Sequence, residues 1–297
     1  MLPIRDNVRR SRAALVVVVM AVLCALVFVR EMQLQGTMRQ RRLEELMGLE
    51  SPLDRLMARS ALVPEKVAQG LLHPGELLED PGAAVLRFAL PLFTSLFLHA
   101  SLSHLLSNLW FLWIFGRSVE SLLGPLRALA TYLVAGVAAG LIHVLLLAYS
   151  GAVDDYAALH GAGIAGLPHR LAILANEWPG SGLRIAPFTP SRIPTIGASG
   201  AISGLLGAYL VLCPRAIVTT VIPPLIFLTF DVPAVIFIAF WMFSQIFGLW
   251  DSMSAPLFSD TGGIAYGAHF GGFVVGLLAA LLLRRPSRDE ALLVEIR

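Results

Sequence analysis

Residues 195–215 read TIGASGAISGLLGAYLVLCPR, an apolar run that is too short for its surroundings. From Ser199 to Cys213 it holds about 15 residues, or roughly 22 Å of helix at 1.5 Å per residue, against roughly 30 Å of bilayer hydrocarbon. Pro190–Ser191–Arg192–Ile193–Pro194 precedes it and prevents regular helix until just before Gly197. With Pro214–Arg215 at one membrane surface, Ser199 falls several ångströms beneath the other. Non-helical backbone at that depth is tolerated only when buried in protein or lining a wet cavity. Gly197–Ala198–Ser199–Gly200 is therefore expected at the bottom of a water-filled pocket.

The rest of the chain supplies the membrane context. Of 297 residues, 57% are hydrophobic and 14% charged, whereas a soluble domain carries roughly 25% charged residues. Long apolar runs alternate with short polar punctuation and give candidate spans at 13–30, 92–116, 125–149, 198–213, 221–248 and 264–283. The expected fold class is all-α: a polytopic, six-helix membrane bundle whose short fourth helix starts within the membrane. The first run, Ala13 to Val29, is longer than a signal-peptide core, and Arg30–Glu31–Met32 carries no small-residue cleavage pattern. It reads as an uncleaved membrane helix. An even number of spans puts both termini on one side. Arg5, Arg9, Arg10 and Arg12 at the start, Arg284, Arg285 and Arg288 at the end, and Arg117, Arg127 and Arg215 in short loops make that side cytoplasmic. The expected division is a cytoplasmic segment 1–12, a membrane domain 13–285 and a cytoplasmic tail 286–297.

Two external segments are long. Residues 31–91 include an amphipathic stretch, Met38 to Ser60, suited to the membrane interface. Residues 150–195 are rich in Gly and Pro and include Trp178. His160 and His169 in that loop have no accompanying ligand cluster, so neither a metal nor another cofactor is expected. Cys24 and Cys213 sit inside apolar runs and read as packing residues. The net charge of +2 says little about partners, and with no basic face suited to it, nucleic acid is not an expected one. The bilayer itself is the expected surrounding.

Three polar features stand inside the apolar runs. Ser199, flanked by Gly197 and Gly200, lies at or near a helix start. Two roles fit it: a helix N-cap, or a nucleophile beside free first-turn N–H groups. His269 lies in Gly267–Ala268–His269–Phe270–Gly271–Gly272, with Gly276 one turn further. An ionisable residue in a span faces protein or a cavity, and small residues here and at Gly200, Gly204 and Gly207 let two helices approach closely. A base for Ser199 and a structural histidine both satisfy that placement. His104 and Asn108, at i and i+4, share one helix face. They could hold helices together or donate to a developing negative charge.

Taken jointly, these motifs resemble the rhomboid proteases. Gly197–Ala198–Ser199–Gly200, the Ala268–His269 pair followed by Gly272 and Gly276, and His104 with Asn108 look like that family's three signatures, in its order. Gly116, Glu120 and Gly124 resemble a further, structural family feature. The resemblance covers roughly residues 90–285 and implies a Ser–His dyad without an acid. Ser199 would attack a peptide carbonyl, His269 would take its proton, and an acyl-enzyme would be hydrolysed by water. His104, Asn108 and the Ser199 N–H would form the oxyanion hole, with Gly197, Gly200, Gly272 and Gly276 in support. The implied substrates are single-pass membrane proteins cut at their transmembrane segments. The implied location, by family analogy, is the bacterial cytoplasmic membrane.

The chain departs from the family pattern in places. Ser203 stands where some members carry a tyrosine that stacks on the histidine, so what orients His269 is open. Phe88–Ala89–Leu90–Pro91 replaces a Trp-Arg pair found in some members. Trp241, Phe243 and Phe247 suit either a lateral gate or a lipid-facing stripe, and Gly262 and Gly263 suit a mobile lid. Two other readings remain beside the protease. One is an inactive rhomboid-like protein that binds membrane proteins. The other is a small transporter, for which a broken helix with polar residues at depth is also suited, although no inverted repeat is present.

Overall fold

The structure is a computed structural model and describes residues 2–10, 13–37, 40, 50–72, 79–149, 194–222, 225–254 and 264–284. The tail 286–297, most of the 150–195 loop with His160, His169 and Trp178, and Gly262 and Gly263 lie outside the described residues. Residues 41–49 of the amphipathic stretch do as well. Its remainder forms a helix over Pro52–Ser60, started by a reciprocal capping box between Ser51 and Asp54.

The architecture is mainly helical. Helix α1 (Leu15–Leu34) is apolar on all sides, yet only one stripe, with Val17, Met20, Cys24, Phe28 and Glu31, is buried. Leu15, Val22, Leu26 and Val29 on its other faces are exposed. A helix that is apolar all round and packs on one stripe belongs in lipid. Helices α2 (Leu102–Phe111), α3 (Arg117–Leu123), α4 (Pro125–Tyr149), α5 (Ser199–Leu212), α6 (Ala234–Ser254) and α7 (Tyr266–Leu283) complete the set that concerns the site. Among the described residues, four helices are long and apolar enough to cross a membrane, or five if the bent pair 90–97 and 102–123 counts as one span. Helix α5, with 14 residues, is a shorter apolar helix. The molecule is thus a multi-pass helical membrane protein.

The structure departs from the expected all-α spans in three places. The second expected span, 92–116, is not one helix: Leu90–Phe97 and Leu102–Leu123 meet at 92°. The break follows from Ser101, whose extended backbone and side chain, accepting from the His104 N–H, start α2 afresh. The far end runs past 116, through a π-helical turn at Leu112–Gly116, to Gly124, whose φ of 84° ends α3. The fifth span does not begin at 221. Strands β2 (Ile217–Ile222) and β3 (Leu225–Pro233) pair antiparallel there, and helix starts only at Ala234. β-Branched Ile217, Val218, Thr219, Thr220, Val221 and Ile222 favour this extended form. The third correction concerns the N-terminus. Leu2–Asp6 forms a strand, β1, which adds antiparallel to the outer edge of β2. The fold is therefore not wholly α, because a three-stranded sheet closes one end of the bundle.

Buried polar groups tie that end together. Asp6 Oδ2 accepts from Ser118 Oγ at 2.6 Å and from the Tyr209 hydroxyl at 3.0 Å, while Oδ1 pairs with Arg10. The Glu120 carboxylate accepts from the Val16 and Val17 N–H groups at 2.9 Å each, which satisfies two open donors at the start of α1. Arg127 Nη1 donates to the last carbonyl of α7, Leu283 O, at 3.3 Å. The first strand and the C-terminal end of α7 thus lie at the same end of the bundle.

Helix α5 is the centre of the fold, buried continuously from Gly200 to Tyr209. It touches α7 backbone to backbone. A Cβ at Gly272 would overlap the Gly200 carbonyl, and one at Gly276 would overlap the Gly204 carbonyl. Because the obstacle is backbone, no rotamer change can relieve it. Gly276→Ala is expected to destabilise the fold by about 2 kcal/mol or more. Leu282→Ala, on an 84% exposed side chain of the same helix, is expected to stay within about 0.5 kcal/mol of wild type. Equilibrium unfolding in mixed micelles measures both.

Candidate active site

Ser199 is the first residue of α5, and Ala198 occupies the N-cap position with no side-chain cap. The serine hydroxyl is therefore not committed to capping. Ser199 Oγ lies 2.8 Å from His269 Nε2 on α7, linking residues 70 apart in sequence. Both side chains are partly exposed, whereas Gly200 and Ala268 beside them are buried. The glycine seam between α5 and α7 makes this distance possible. Wider helix spacing would place the two groups out of reach.

The ring of His269 is held from its other side. His269 Nδ1 lies 2.7 Å from Gln245 Oε1 on α6, and the Trp241 ring stands beside the imidazole with centroids 6.1 Å apart. Ser203 takes no part, because its hydroxyl donates to the Ser199 carbonyl at 2.7 Å within its own helix. Phe243 and Phe247, 67% and 64% exposed, point away on the outer surface of α6. The aromatic group on α6 thus divides, with Trp241 turned to the histidine and the phenylalanines facing outward.

His104 and Asn108 approach the turn before Ser199. Gly197 adopts φ +123°, and a Cβ there would meet His104 Cε1 at 2.7 Å, His104 Nε2 at 2.8 Å and Asn108 Nδ2 at 3.7 Å. The turn is pinned from behind by Gly197 N–H donating to the Ser95 carbonyl at 2.9 Å and Thr195 N–H donating to Leu62 O at 2.7 Å. Asn108 is buried, and its Nδ2 has no hydrogen-bond partner among the described residues. Behind His104, the His99 ring meets it edge-on at 5.2 Å, and the Glu31 carboxylate accepts from the His99 N–H at 3.2 Å. A buried acid on α1 therefore anchors the break from which α2 begins.

Gly116, Glu120 and Gly124 lie far from this cluster along the same bent element, at the sheet end of the bundle. A Cβ at Gly116 would press on Val17 Cγ2 and Leu112 Cδ1 at 3.0 Å, so this glycine admits α1 closely. No group of three His, Cys, Asp or Glu side chains that could hold a metal occurs among the described residues.

Reading the sequence missed Gln245, Glu31 and His99. Each had a signal: Gln245 and its neighbour Ser244 interrupt an apolar run, Glu31 ends one, and His99 precedes His104 by five residues. A polar group inside a membrane segment calls for a partner.

A family sequence model, described as the Rhomboid domain, matches residues 87–286, and the chain belongs to that family. It is also 30% identical over 125 residues to "RHOMBOID-like protein 12, mitochondrial" of Arabidopsis thaliana. The aligned part covers 42% of this chain and 30% of that relative.

Gly197→Ala tests the turn directly. A side chain at that φ costs about 1–3 kcal/mol, and its methyl would displace the His104 ring. The variant is expected to lower the thermal midpoint and to change the His104 ring signals in a 15N-histidine spectrum. An unchanged spectrum would contradict the placement.

Proposed function

We propose that this protein is an intramembrane serine endopeptidase acting through a Ser199–His269 dyad. The observation that carries the proposal is the 2.8 Å contact between Ser199 Oγ and His269 Nε2. A nucleophile and base within hydrogen-bond reach, with the base oriented by a third group, is the arrangement that activates a serine.

Ser199 Oγ bonds to the carbonyl carbon of a peptide as its proton passes to His269 Nε2. The oxygen of that carbonyl takes the negative charge. The Ser199 N–H is one of the open donors of a first helical turn, and the Asn108 amide is buried with an uncommitted Nδ2. With the His104 imidazole, they form the oxyanion hole. His269 then gives its proton to the leaving amine, and water repeats the sequence on the acyl-enzyme. By resemblance to the rhomboid proteases, the substrate class is a single-pass membrane protein cut at its transmembrane segment. The reading takes six crossings, α5 being the short one, with both termini in the cytoplasm of a bacterial cell. Support for the shared side comes from the β1–β2 pairing and the Arg127–Leu283 contact at one end.

The test uses the protein in liposomes with a tagged single-pass substrate. Cleavage is expected in wild type and absent in Ser199→Ala and His269→Ala at equal expression. Asn108→Ala is expected to reduce kcat by about 100-fold or more, the loss of one oxyanion donor. Cleavage that persists in Ser199→Ala overturns the mechanism. No Ser199-dependent cleavage of any tested substrate would place the protein with the inactive, membrane-protein-binding rhomboid-like class.

A further inference from the structure

The dyad leaves one question of chemistry: which nitrogen of His269 carries the proton. Neutral imidazole has one N–H and one lone pair. Only the Nδ1–H form presents a lone pair at Nε2 to receive the proton of Ser199. The opposite tautomer would point an N–H at the serine and could not act as its base.

The surroundings on α6 decide between them. The Ser244 hydroxyl donates to the Trp241 carbonyl at 2.6 Å. Its proton thus committed, the Ser244 oxygen is left to accept, and Gln245 Nε2 lies 2.9 Å from it. Gln245 Nε2 is also 3.4 Å from the Trp241 carbonyl, which can only accept. Both neighbours therefore demand the NH2 side of the Gln245 amide. Turning the amide over would set its oxygen against a carbonyl oxygen and leave the NH2 facing His269. Held as it is, Oε1 faces His269 Nδ1 at 2.7 Å, and a carbonyl oxygen accepts only. Nδ1 must then be the protonated nitrogen.

We propose that Gln245 is the positioning residue of the dyad: its amide, oriented by the Trp241 carbonyl and Ser244, holds His269 in the Nδ1–H tautomer with Nε2 free to accept from Ser199. The polarity runs in one direction from a backbone carbonyl to the nucleophile. Gln245 thereby does for orientation what a carboxylate does in a three-residue triad. It does so without a formal charge, which would be costly in a membrane span. Gln245 is 9% exposed, so little solvent competes for its amide. Trp241, one turn earlier on the helix, sets its ring beside the same imidazole in a tilted contact.

The mechanistic meaning of this assignment rests on the proposed dyad, but the tautomer is measurable without catalysis. The experiment is a 15N spectrum of histidine-labelled full-length protein in lipid, with His269 assigned by its loss in His269→Ala. Wild type is expected to show a protonated Nδ1 and an unprotonated Nε2. Gln245→Met keeps the length and removes the acceptor, and it is expected to mix the two tautomers. In the liposome assay it should lower kcat by about 100-fold, the effect of a misplaced catalytic group, with KM within about twofold. Gln245→Glu restores an oxygen acceptor and is expected to recover the Nδ1–H form and part of the lost kcat. An Nε2–H tautomer in wild type overturns the proposal. So does a Gln245→Met protein with the wild-type spectrum and kcat. The wild-type spectrum decides even if Gln245→Met does not fold. A wild-type Nδ1–H spectrum without any Ser199-dependent cleavage would leave the tautomer assignment standing and sink the protease reading instead.

Discussion

Everything at the site depends on how closely two helix backbones approach. In lipid, no hydrophobic force draws apolar helices together, so association rests on van der Waals packing and a few hydrogen bonds. Helices α5 and α7 meet through glycines that face carbonyls of the partner: Gly272 against Gly200, Gly276 against Gly204 and Gly207 against Phe273. That seam sets the separation at which a one-carbon serine side chain and an imidazole can share a hydrogen bond. It also explains why α5 is buried from Gly200 to Tyr209 although, at 14 residues, it is shorter than the helices long enough to cross a membrane. Glycines at the contact positions let a neighbour approach that leucines there would hold apart.

Polar groups fix what the seam leaves free. At the sheet end, Asp6 and Glu120 join the first strand and the start of α1 to α3 and α5, each carboxylate accepting more than one hydrogen bond. At the opposite end, Glu31 anchors the broken element before α2, and the Ser95 and Leu62 carbonyls hold the turn that leads to Ser199. Unsatisfied polar groups are costly in an apolar medium, so such networks specify one arrangement. Helix α6 supplies the remaining constraint, an amide whose orientation is dictated by its own helix backbone.

Much of this was readable from residue order. The glycine spacing around Ser199 and His269 identified two helices able to approach closely, and the shortness of the run after Ser199 marked it as unusual. His104 and Asn108 were visible as one helix face. The β2–β3 hairpin was not, because the apolar residues between Ile217 and Trp250 read as one span despite Pro223–Pro224, Asp231 and Pro233. β-Branching and those prolines were the available signals, and the apolar length concealed them. The 92° bend was hidden in the same way, since Ser101 looks like an ordinary polar residue until its capping bond is seen. Gln245 escaped because the reading of that span rested on its aromatic residues, Trp241, Phe243 and Phe247. Its partner His269 lies 24 residues away, a pairing that only tertiary structure reveals.

The proposed dyad makes Ser199 an activated nucleophile. Mass spectrometry of the full-length protein in lipid, after treatment with a fluorophosphonate, tests it most directly. The expected result is a single covalent adduct on the peptide bearing Ser199, absent when His269 is replaced by alanine. An unmodified Ser199, or an adduct that forms equally well without His269, would show that the serine is not activated by that histidine.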